Sequence, residues 1–466
     1  MKELLITLDS KGKTPLYEQI YGFIKSEIQK RKILPGEALP SSRSLSRQLM
    51  VSRSTVDLAY EQLVSEGYLE SVPCKGYFVC DMEELFQLAG LRTNIRQRPE
   101  QVKETYPYDF AVNGIDPEGF PQNAWRKISK QILMEDDGSL FQLGDAQGEW
   151  ELREAIASYL HHARGVEAGP EQIVVGAGND YLLMLLSVIL GTDTRIAMEN
   201  PTYKSAWNCF ESLGHEMAAV SMDDAGMVPD QLEESKADVA YVMPSHQFPM
   251  GMVMPMKRRL QLLAWAKASS GRYIIEDDYD SEFRYKGKPI PALQGYDQND
   301  TVIYIGTFSK AIAPAIRISY MVLPQTLLAA YKERGKNFSV TVSRVDQKII
   351  ELFLREGYFE RHLNRMRALY KGKRDLILKL LKPLRSVCCV SGEQAGVHLL
   401  LQFLNGMTEE EAVERTKAVG IKVYPLHQYY VNGERKRETE GILLGYATLE
   451  ESVIETAMNA LNRAWS

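Results

Sequence analysis

The strongest constraint on the fold is a regular alternation of short apolar runs with helical patterns across residues 108–466. Such runs predict strands buried on both faces, and the helical stretches between them predict crossover connections. The sequence therefore predicts an α/β domain with a mostly parallel central sheet. The predicted strands are Ile173–Val175, Arg195–Met198, Val239–Val242, Tyr273–Ile275, Val302–Ile305 and Ile318–Val322, and two predicted helices are Asp180–Leu190 and Lys257–Ser269.

Composition excludes several classes of protein. Apolar residues make up 45% of the 466 residues and charged residues 25%, values typical of globular chains rather than disordered or fibrous ones. The longest charge-free apolar stretch, Tyr181–Thr192, is too short to cross a bilayer, and no secretory signal pattern is expected. The five cysteines lack C-x-x-C spacing, which predicts free thiols in a reducing cytoplasm and no metal site.

The net charge of −6 argues against a protein that coats nucleic acid along its whole length. Residues 1–80 differ slightly, with 11 Lys and Arg against 9 Asp and Glu, which leaves −8 for the remainder. This difference carries weight only if the N-terminal segment also has the pattern of a DNA-reading module.

The N-terminal segment has that pattern. A predicted amphipathic helix, Pro15–Lys30, is followed by a turn and by two shorter helices, Arg43–Leu49 and one that begins at Arg53. Gly67 ends the third helix, and the residues from Tyr68 to Val79 predict a two-stranded wing. Two short helices joined by a tight turn form a helix-turn-helix, whose second helix enters the major groove.

This geometry predicts that the first turn of the third helix contacts DNA. Arg53 can bind a guanine bidentately, and the hydroxyl groups of Ser52, Ser54 and Thr55 can approach phosphate at the helix N-terminus. The alternative is a small three-helix domain with a solvated, serine-rich face, because many helical hairpins mimic this pattern.

Five segments resemble the GntR-type winged helix-turn-helix across residues 12–79: Pro15–Ile20, Leu39–Leu45, Val51–Val56, Ala59–Leu63 and Glu66–Leu69. The resemblance implies DNA contacts from the second helix, the start of the recognition helix and the wing tip. Carried over by position, the predicted DNA-binding residues are Arg43, Ser52, Arg53, Ser54, Thr55, Lys75 and Gly76. We expect this domain at 12–80 and a polar, proline-interrupted linker at 81–107.

In the second domain, polar residues follow the predicted strands, where ligands of open α/β sheets bind. The segments that follow the strands are Gly176–Asp180, Glu199–Tyr203, Met243–Gly251, Glu276–Asp280 and Gly306–Lys310. A glycine turn before a helix can hold a phosphate. A lysine, an acid and such a turn together are the requirements of a pyridoxal phosphate (PLP) site. Singly, Lys310 could be a surface lysine and Asp277 a loop acid; their joint occurrence favours the PLP site.

Residues 109–465 also resemble the fold-type I aminotransferases, with further support from Asp145–Gly148, Leu152–Arg153 and Tyr159–Val166. We expect an aminotransferase-like, PLP-binding domain at 108–466. The resemblance implies that Lys310 forms the Schiff base, Asp277 faces the ring nitrogen, and Tyr279 lies near the phenolic oxygen. It also implies that Tyr203 stacks on the cofactor ring. The phosphate-binding positions of the family correspond to Gly178, Asn179, Thr307 and Arg317. His246 and Gln247 stand where the family usually has an asparagine that contacts the cofactor.

One position departs from the aminotransferase pattern. Where those enzymes present an arginine that clamps the substrate carboxylate, this chain has Leu443. The nearby Arg435 and Arg437 could substitute but are expected to face solvent. We therefore expect weak or no turnover of common α-amino acids.

Together the two domains resemble the MocR subfamily of bacterial transcription regulators. The resemblance implies a cytoplasmic head-to-tail homodimer that binds operator half-sites on double-stranded DNA and senses PLP or a small amino compound, in control of vitamin B6 or amino acid metabolism. One alternative is an active PLP-dependent aminotransferase with an appended DNA-binding module. A third reading, a regulator that has lost the cofactor, is disfavoured by the joint presence of Lys310, Asp277, Tyr279 and Arg317.

Overall fold

The computed structural model describes residues 14–81, 105–134, 138–285, 289–431 and 440–466, together with residues 4, 6–9, 12 and 287. Backbone contacts divide the chain into two compact units, Met1–Lys103 and Glu104–Ser466. Most of the predicted linker, and both Arg435 and Arg437, lie outside the described residues.

The N-terminal unit consists of three helices followed by an antiparallel two-stranded wing. Its core is formed by the buried faces of the helices, to which Ile20, Ile24 and Ile28 contribute at helical spacing. The elements are α1 (Leu16–Gln29), α2 (Ser42–Leu49), α3 (Arg53–Ser65), β1 (Leu69–Val72) and β2 (Gly76–Val79).

Serine caps define the helix-turn-helix. The Ser41 hydroxyl accepts a hydrogen bond from the Ser44 amide (3.2 Å) at the start of α2, and Ser52 does the same for the Thr55 amide (3.2 Å) at the start of α3. Between them Met50 adopts a left-handed conformation (φ 52°), which ends α2 and reverses the chain. The Tyr60 hydroxyl donates to the Pro40 carbonyl (2.8 Å) and ties α3 to the segment before α2.

The larger unit contains an eight-stranded sheet, a four-stranded antiparallel sheet and the helices that cover them. Its helices are α4 (Gln122–Met134), α5 (Trp150–Arg164), α6 (Asn179–Leu190), α7 (Lys204–Ser212), α8 (Pro229–Glu234), α9 (Met256–Lys267), α10 (Gln325–Arg334), α11 (Arg344–Arg355), α12 (Tyr358–Leu380), α13 (Glu409–Ala418) and α14 (Glu451–Trp465). Its strands are β3 (Tyr108–Asp109), β4 (Ile173–Gly176), β5 (Ile196–Asn200), β6 (Met217–Asp223), β7 (Gly226–Met227), β8 (Val239–Val242), β9 (Tyr273–Asp278), β10 (Val302–Thr307), β11 (Ser319–Val322), β12 (Cys388–Ser391), β13 (His398–Phe403), β14 (Ile421–Lys422), β15 (Tyr424–Pro425) and β16 (Gly441–Gly445).

The large sheet has the order β4-β11-β10-β9-β8-β5-β6-β7. The pairs from β10 through β9, β8 and β5 to β6 are parallel, whereas β11 runs antiparallel to both β10 and β4. All six predicted strands are present, and the prediction of a mostly parallel α/β sheet is confirmed. The central strands are buried along their length, as expected for a sheet covered on both faces.

The smaller sheet has the order β12-β13-β16-β15 and is antiparallel throughout. One apolar cluster joins it to α12 and α14, and a second lies between the large sheet and helices α6, α7 and α10. None of the helices in the described segments is both long and apolar enough to span a membrane.

We predict that Ile24→Ala destabilises the N-terminal unit by about 2–5 kcal/mol, because Ile24 is fully buried and its truncation leaves a cavity. Hydrogen exchange of the α1 amides, followed by mass spectrometry, measures this loss. Leu34→Ala, at a half-exposed site, is the control and should change exchange little. Equal protection of α1 in the two variants would contradict the assigned core.

Candidate functional site

A cavity of about 250 Å³ lies at the carboxyl ends of the central parallel strands. Strands β9 and β10 each contribute residues from their ends, and β4 leads into it through the start of α6. The cavity is lined by Val112, Asn113, Asn179, Tyr203, Met243, Phe248, Asp277, Tyr279, Thr307, Ser309, Lys310, Pro314 and Arg317. Binding at this edge of the sheet is the rule for open α/β folds.

Lys310 follows β10 and extends its amine into the cavity. The Nζ atom donates a hydrogen bond to the Val112 carbonyl (2.8 Å). Burial disfavours the charged ammonium and lowers the pKa of Lys310 to about 8, although the nearby Asp280 carboxylate opposes this shift. The neutral amine, which is the nucleophilic form, is therefore more populated near physiological pH than it is for an ordinary lysine.

Asp277 is the penultimate residue of β9 and is buried. Its carboxylate accepts a hydrogen bond from the Tyr241 hydroxyl and lies 3.5 Å from the Asn179 amide nitrogen. Burial raises the pKa of Asp277 to about 7; the Tyr241 hydrogen bond partly offsets this effect, while Asp278 and Asp280 add to it. A buried acid of this kind gains from a cationic partner, as the protonated ring nitrogen of PLP would provide.

Tyr279 is held by a buried histidine and acid behind it. The Tyr279 hydroxyl lies 3.0 Å from Nδ1 of His246, and the same nitrogen lies 2.9 Å from an Asp280 carboxylate oxygen. Burial raises the pKa of the Tyr279 phenol well above its usual range, so this group stays protonated and can donate a hydrogen bond.

The histidine pair beside Tyr279 also has metal-binding residue types. Ligand atoms of His246, Asp280 and His398 lie within 4.8 Å of one another, and all three side chains are buried. His246 already uses Nδ1 with Asp280, and burial lowers the pKa of His398 well below its usual value. Because these contacts tie His246 to Tyr279, the cluster acts as a support for the cavity wall.

The opposite end of the cavity has the features of an anion cradle. Helix α6 begins at Asn179 directly after Gly178 (φ 89°), so its free amides and dipole face this end. A Cβ at position 178 would lie 2.4 Å from an Arg317 guanidinium nitrogen, so a side chain there would displace the arginine. Arg317 also pairs with Asp180 (2.9 Å) and is half exposed.

Unsatisfied polar atoms support a ligand at this end. Ser309 Oγ and Asn179 Oδ1 are buried without a hydrogen-bond partner, and both residues line the cavity. Thr307 Oγ1 accepts from the Ser309 amide (3.1 Å) and from the Ser319 hydroxyl (2.8 Å). Buried polar groups without partners are costly, and the Ser309 hydroxyl, unlike the Asn179 carbonyl oxygen, can donate a hydrogen bond to a phosphate. The residues present therefore fit PLP.

The remaining wall is apolar and aromatic. Tyr203 and Tyr279 each contact Phe248 edge-on, with centroid distances of 6.1 Å. Leu443, in β16, is fully buried in the same apolar cluster as Phe248 and Met243. Among the described lining residues, this wall thus offers no charged group that could bind a carboxylate.

Seven of the ten predicted cofactor residues line the cavity: Asn179, Tyr203, Asp277, Tyr279, Thr307, Lys310 and Arg317. Gly178 and His246 lie directly behind lining residues. Gln247 turns away: its amide donates to the Pro201 carbonyl (3.0 Å) and its oxygen accepts from the Met250 amide (3.0 Å). The roles of all ten stay predictions.

Sequence reasoning did not identify several residues of the site. Val112 and Asn113 come from an irregular segment after β3. Phe248 comes directly after the predicted pair His246 and Gln247. Tyr241, which donates a hydrogen bond to Asp277, is marked in the sequence only by its place in a predicted buried strand. Ser309 lies in the segment Gly306–Lys310 that follows a predicted strand.

In the N-terminal unit the predicted DNA-binding residues lie on the surface or partly so. Arg43, Ser52, Arg53, Ser54 and Lys75 are exposed, whereas Thr55 and Gly76 are half-buried. Ser52 Oγ also contacts the hydroxyls of Ser54 (2.8 Å) and Thr55 (2.7 Å), so these groups contribute to the cap. Arg53 forms only a loose pair with Asp57 (3.4 Å) and is 70% exposed, which leaves its guanidinium available.

Both units of the chain match known protein families. Residues 16–79 match the model of bacterial regulatory proteins of the gntR family, and residues 109–461 match that of aminotransferase class I and II. A solved structure, the multiple substrate aminotransferase from Thermococcus profundus, superposes with a TM-score of 0.70 at 25% identity, covering 83% of this chain and 95% of that one.

Three relatives match along almost the entire length. An uncharacterized HTH-type transcriptional regulator of Bacillus subtilis, YhdI, is 40% identical over 98% of this chain and 97% of its own. The probable rhizopine catabolism regulatory protein MocR of Rhizobium meliloti is 30% identical, over 99% and 96%. The pyridoxine biosynthesis regulator PdxR of Corynebacterium glutamicum is also 30% identical, over 100% and 99%.

A gntR-type DNA-binding unit joined to a PLP-type aminotransferase domain defines a class of bacterial transcription regulators. The chain belongs to this class, the MocR subfamily, and the predictions of family, fold and cofactor are confirmed.

We predict that the rate at which cofactor-free protein acquires PLP rises with pH around a midpoint near 8. Protonated Lys310 does not react, and burial lowers the pKa of this amine to about 8. Stopped-flow growth of the cofactor's visible absorption band from about pH 6.5 to about pH 11.5 measures the midpoint, with Lys310→Ala as the control. A midpoint near the ordinary lysine value of about 10.4 would contradict the assignment.

Proposed function

We propose that this chain is a regulator of the bacterial cytoplasm whose affinity for its operator depends on PLP held at the strand-end cavity. The observation that carries this proposal is the convergence of a low-pKa lysine, a buried acid and an anion cradle on one cavity. The name of the Corynebacterium glutamicum relative, a pyridoxine biosynthesis regulator, supports PLP itself as the signal.

Within the proposal each residue has a role at a stated atom. Lys310 holds the cofactor through Nζ, Asp277 faces its ring nitrogen, and Tyr279 donates from its hydroxyl. Thr307, Ser309 and Arg317, with the amides at the start of α6, hold the phosphate. When bound, PLP supplies an electron-withdrawing ring and an aldehyde that reacts with primary amines.

The alternative, an active aminotransferase with an appended DNA-binding module, has less support. Leu443 is fully buried among apolar side chains and cannot bind a substrate carboxylate. The anion cradle and Lys310 both bind the cofactor. A regulator needs no residue beyond these, whereas an aminotransferase also needs a group that binds the substrate carboxylate. Measured turnover of α-amino acids separates the two.

The proposal includes a head-to-tail homodimer. Paired helix-turn-helix units bind half-sites about one DNA turn apart, so a dimer matches a two-fold operator. Large apolar side chains of residues 133–150 are exposed, as expected of a surface that a second copy covers: Leu133, Met134, Phe141, Leu143 and Trp150.

We predict that Arg53→Ala abolishes specific operator binding while the purified protein keeps the cofactor's visible band. Loss of one bidentate base contact costs about 1–3 kcal/mol, and a dimer loses it twice. Footprinting on the region upstream of the protein's own gene measures binding. Lys30→Ala, which removes an exposed charge from the same unit, is the matched control. If Arg53→Ala protects the operator like the unaltered protein, the docking geometry is wrong.

We predict that adding PLP to cofactor-free protein changes its operator affinity with no amine present. A ligand shifts a conformational equilibrium only if it binds one state better than the other. Fluorescence anisotropy of labelled operator DNA, titrated with and without PLP, measures the change. If both forms bind DNA equally and only an added amine alters affinity, PLP is a cofactor but not the signal.

A further inference from the structure

The cavity is divided by polarity. Its anion end carries Arg317 and the start of α6, whereas its opposite wall carries Val112, Met243 and Phe248, all nearly fully buried. These three belong to the apolar cluster that contains Leu443, together with Leu400, Leu426 and Val431.

Aromatic edges dominate this wall. Phe248 is surrounded by Tyr203 and Tyr279 at 6.1 Å and by Tyr429 at 5.0 Å, each with its ring nearly perpendicular to that of Phe248. Such a cluster presents a well-packed apolar surface to whatever occupies the cavity next to the cofactor.

The charges of the cavity are already matched. Among the described lining residues, only Lys310 and Arg317 have basic side chains. Arg317 lies at the cradle that fits the phosphate and also pairs with Asp180, and the Lys310 amine is bonded to the Val112 carbonyl. Arg164, beneath the sheet, is neutralised by the Asp278 carboxylate at 2.8 Å.

Among the described residues, a ligand carboxylate in this cavity would therefore lie against apolar side chains with no cationic partner beyond those that the cofactor uses, which is unfavourable. A primary amine with a hydrocarbon body would instead contact the wall with its carbon atoms. We propose that the cavity selects small primary amines with an apolar body and no carboxylate as its effector class. This inference rests on the proposed function, since it assumes that PLP fills the anion end.

The test compares two ligands that differ only by a carboxylate, isopentylamine and leucine. Each is titrated by calorimetry into the full-length protein loaded with PLP. We expect isopentylamine to bind at least tenfold more tightly than leucine. Binding of leucine with equal or higher affinity, or no binding of isopentylamine, overturns the inference.

A variant pair tests the wall itself. Phe248→Ala should weaken isopentylamine binding at least fivefold, whereas Leu404→Ala, at an exposed site, should not. Retention of the cofactor's visible band shows that each variant is folded and loaded. If a loaded Phe248→Ala variant binds isopentylamine as before, the wall is not the selective surface.

Operator binding distinguishes this inference from the proposed function. If isopentylamine binds preferentially but neither it nor PLP changes operator affinity, the selectivity stands and the regulatory role fails. If PLP changes operator affinity and isopentylamine does not bind, the regulatory role stands and the effector class is wrong.

Discussion

The parallel pairing of β9 with β10 is the interaction on which the cavity depends. Its register sets Asp277 opposite Ile305, so the residues that follow both strands emerge at the same edge. Tyr279 and Lys310 reach the cavity for this reason. On the other side of β9, β8 pairs in parallel and brings the Tyr241 hydroxyl to Asp277.

Alternation along β9 explains why one acid of three faces the ligand. Successive side chains of a strand point to opposite faces, so Glu276 and Asp278 share one face and Asp277 has the other. Glu276 accepts from the Leu293 (2.8 Å) and Gln294 (2.9 Å) amides, and Asp278 from Arg164 (2.8 Å) and Tyr304 (2.5 Å). Asp277 accepts from the Tyr241 hydroxyl and, at 3.5 Å, from the Asn179 side-chain amide, and burial raises the pKa of its carboxyl to about 7.

The buried strands could be predicted from sequence because both faces of a central strand require apolar residues. The half-exposed β6 and the short β15 lack such runs and were not predicted. The four-stranded sheet was not predicted either, although its strands β13 and β16 are buried apolar runs, because the pairing of segments distant in sequence has no local pattern. For the site, the residues directly after strands were predictable, since topology alone brings strand ends together. Val112, Phe248 and Tyr241 were not, because only the packing of distant segments shows that they meet Lys310, Tyr279 and Asp277.

The central claim is that the strand-end cavity holds PLP through Lys310. Borohydride reduction of the PLP-loaded protein, followed by proteolysis and mass spectrometry, fixes the cofactor on the lysine that carries it. We expect the added mass on the peptide that contains Lys310, in the unaltered protein but not in Lys310→Ala. A label on a different lysine, or none in a protein that retains the visible band, would contradict the claim.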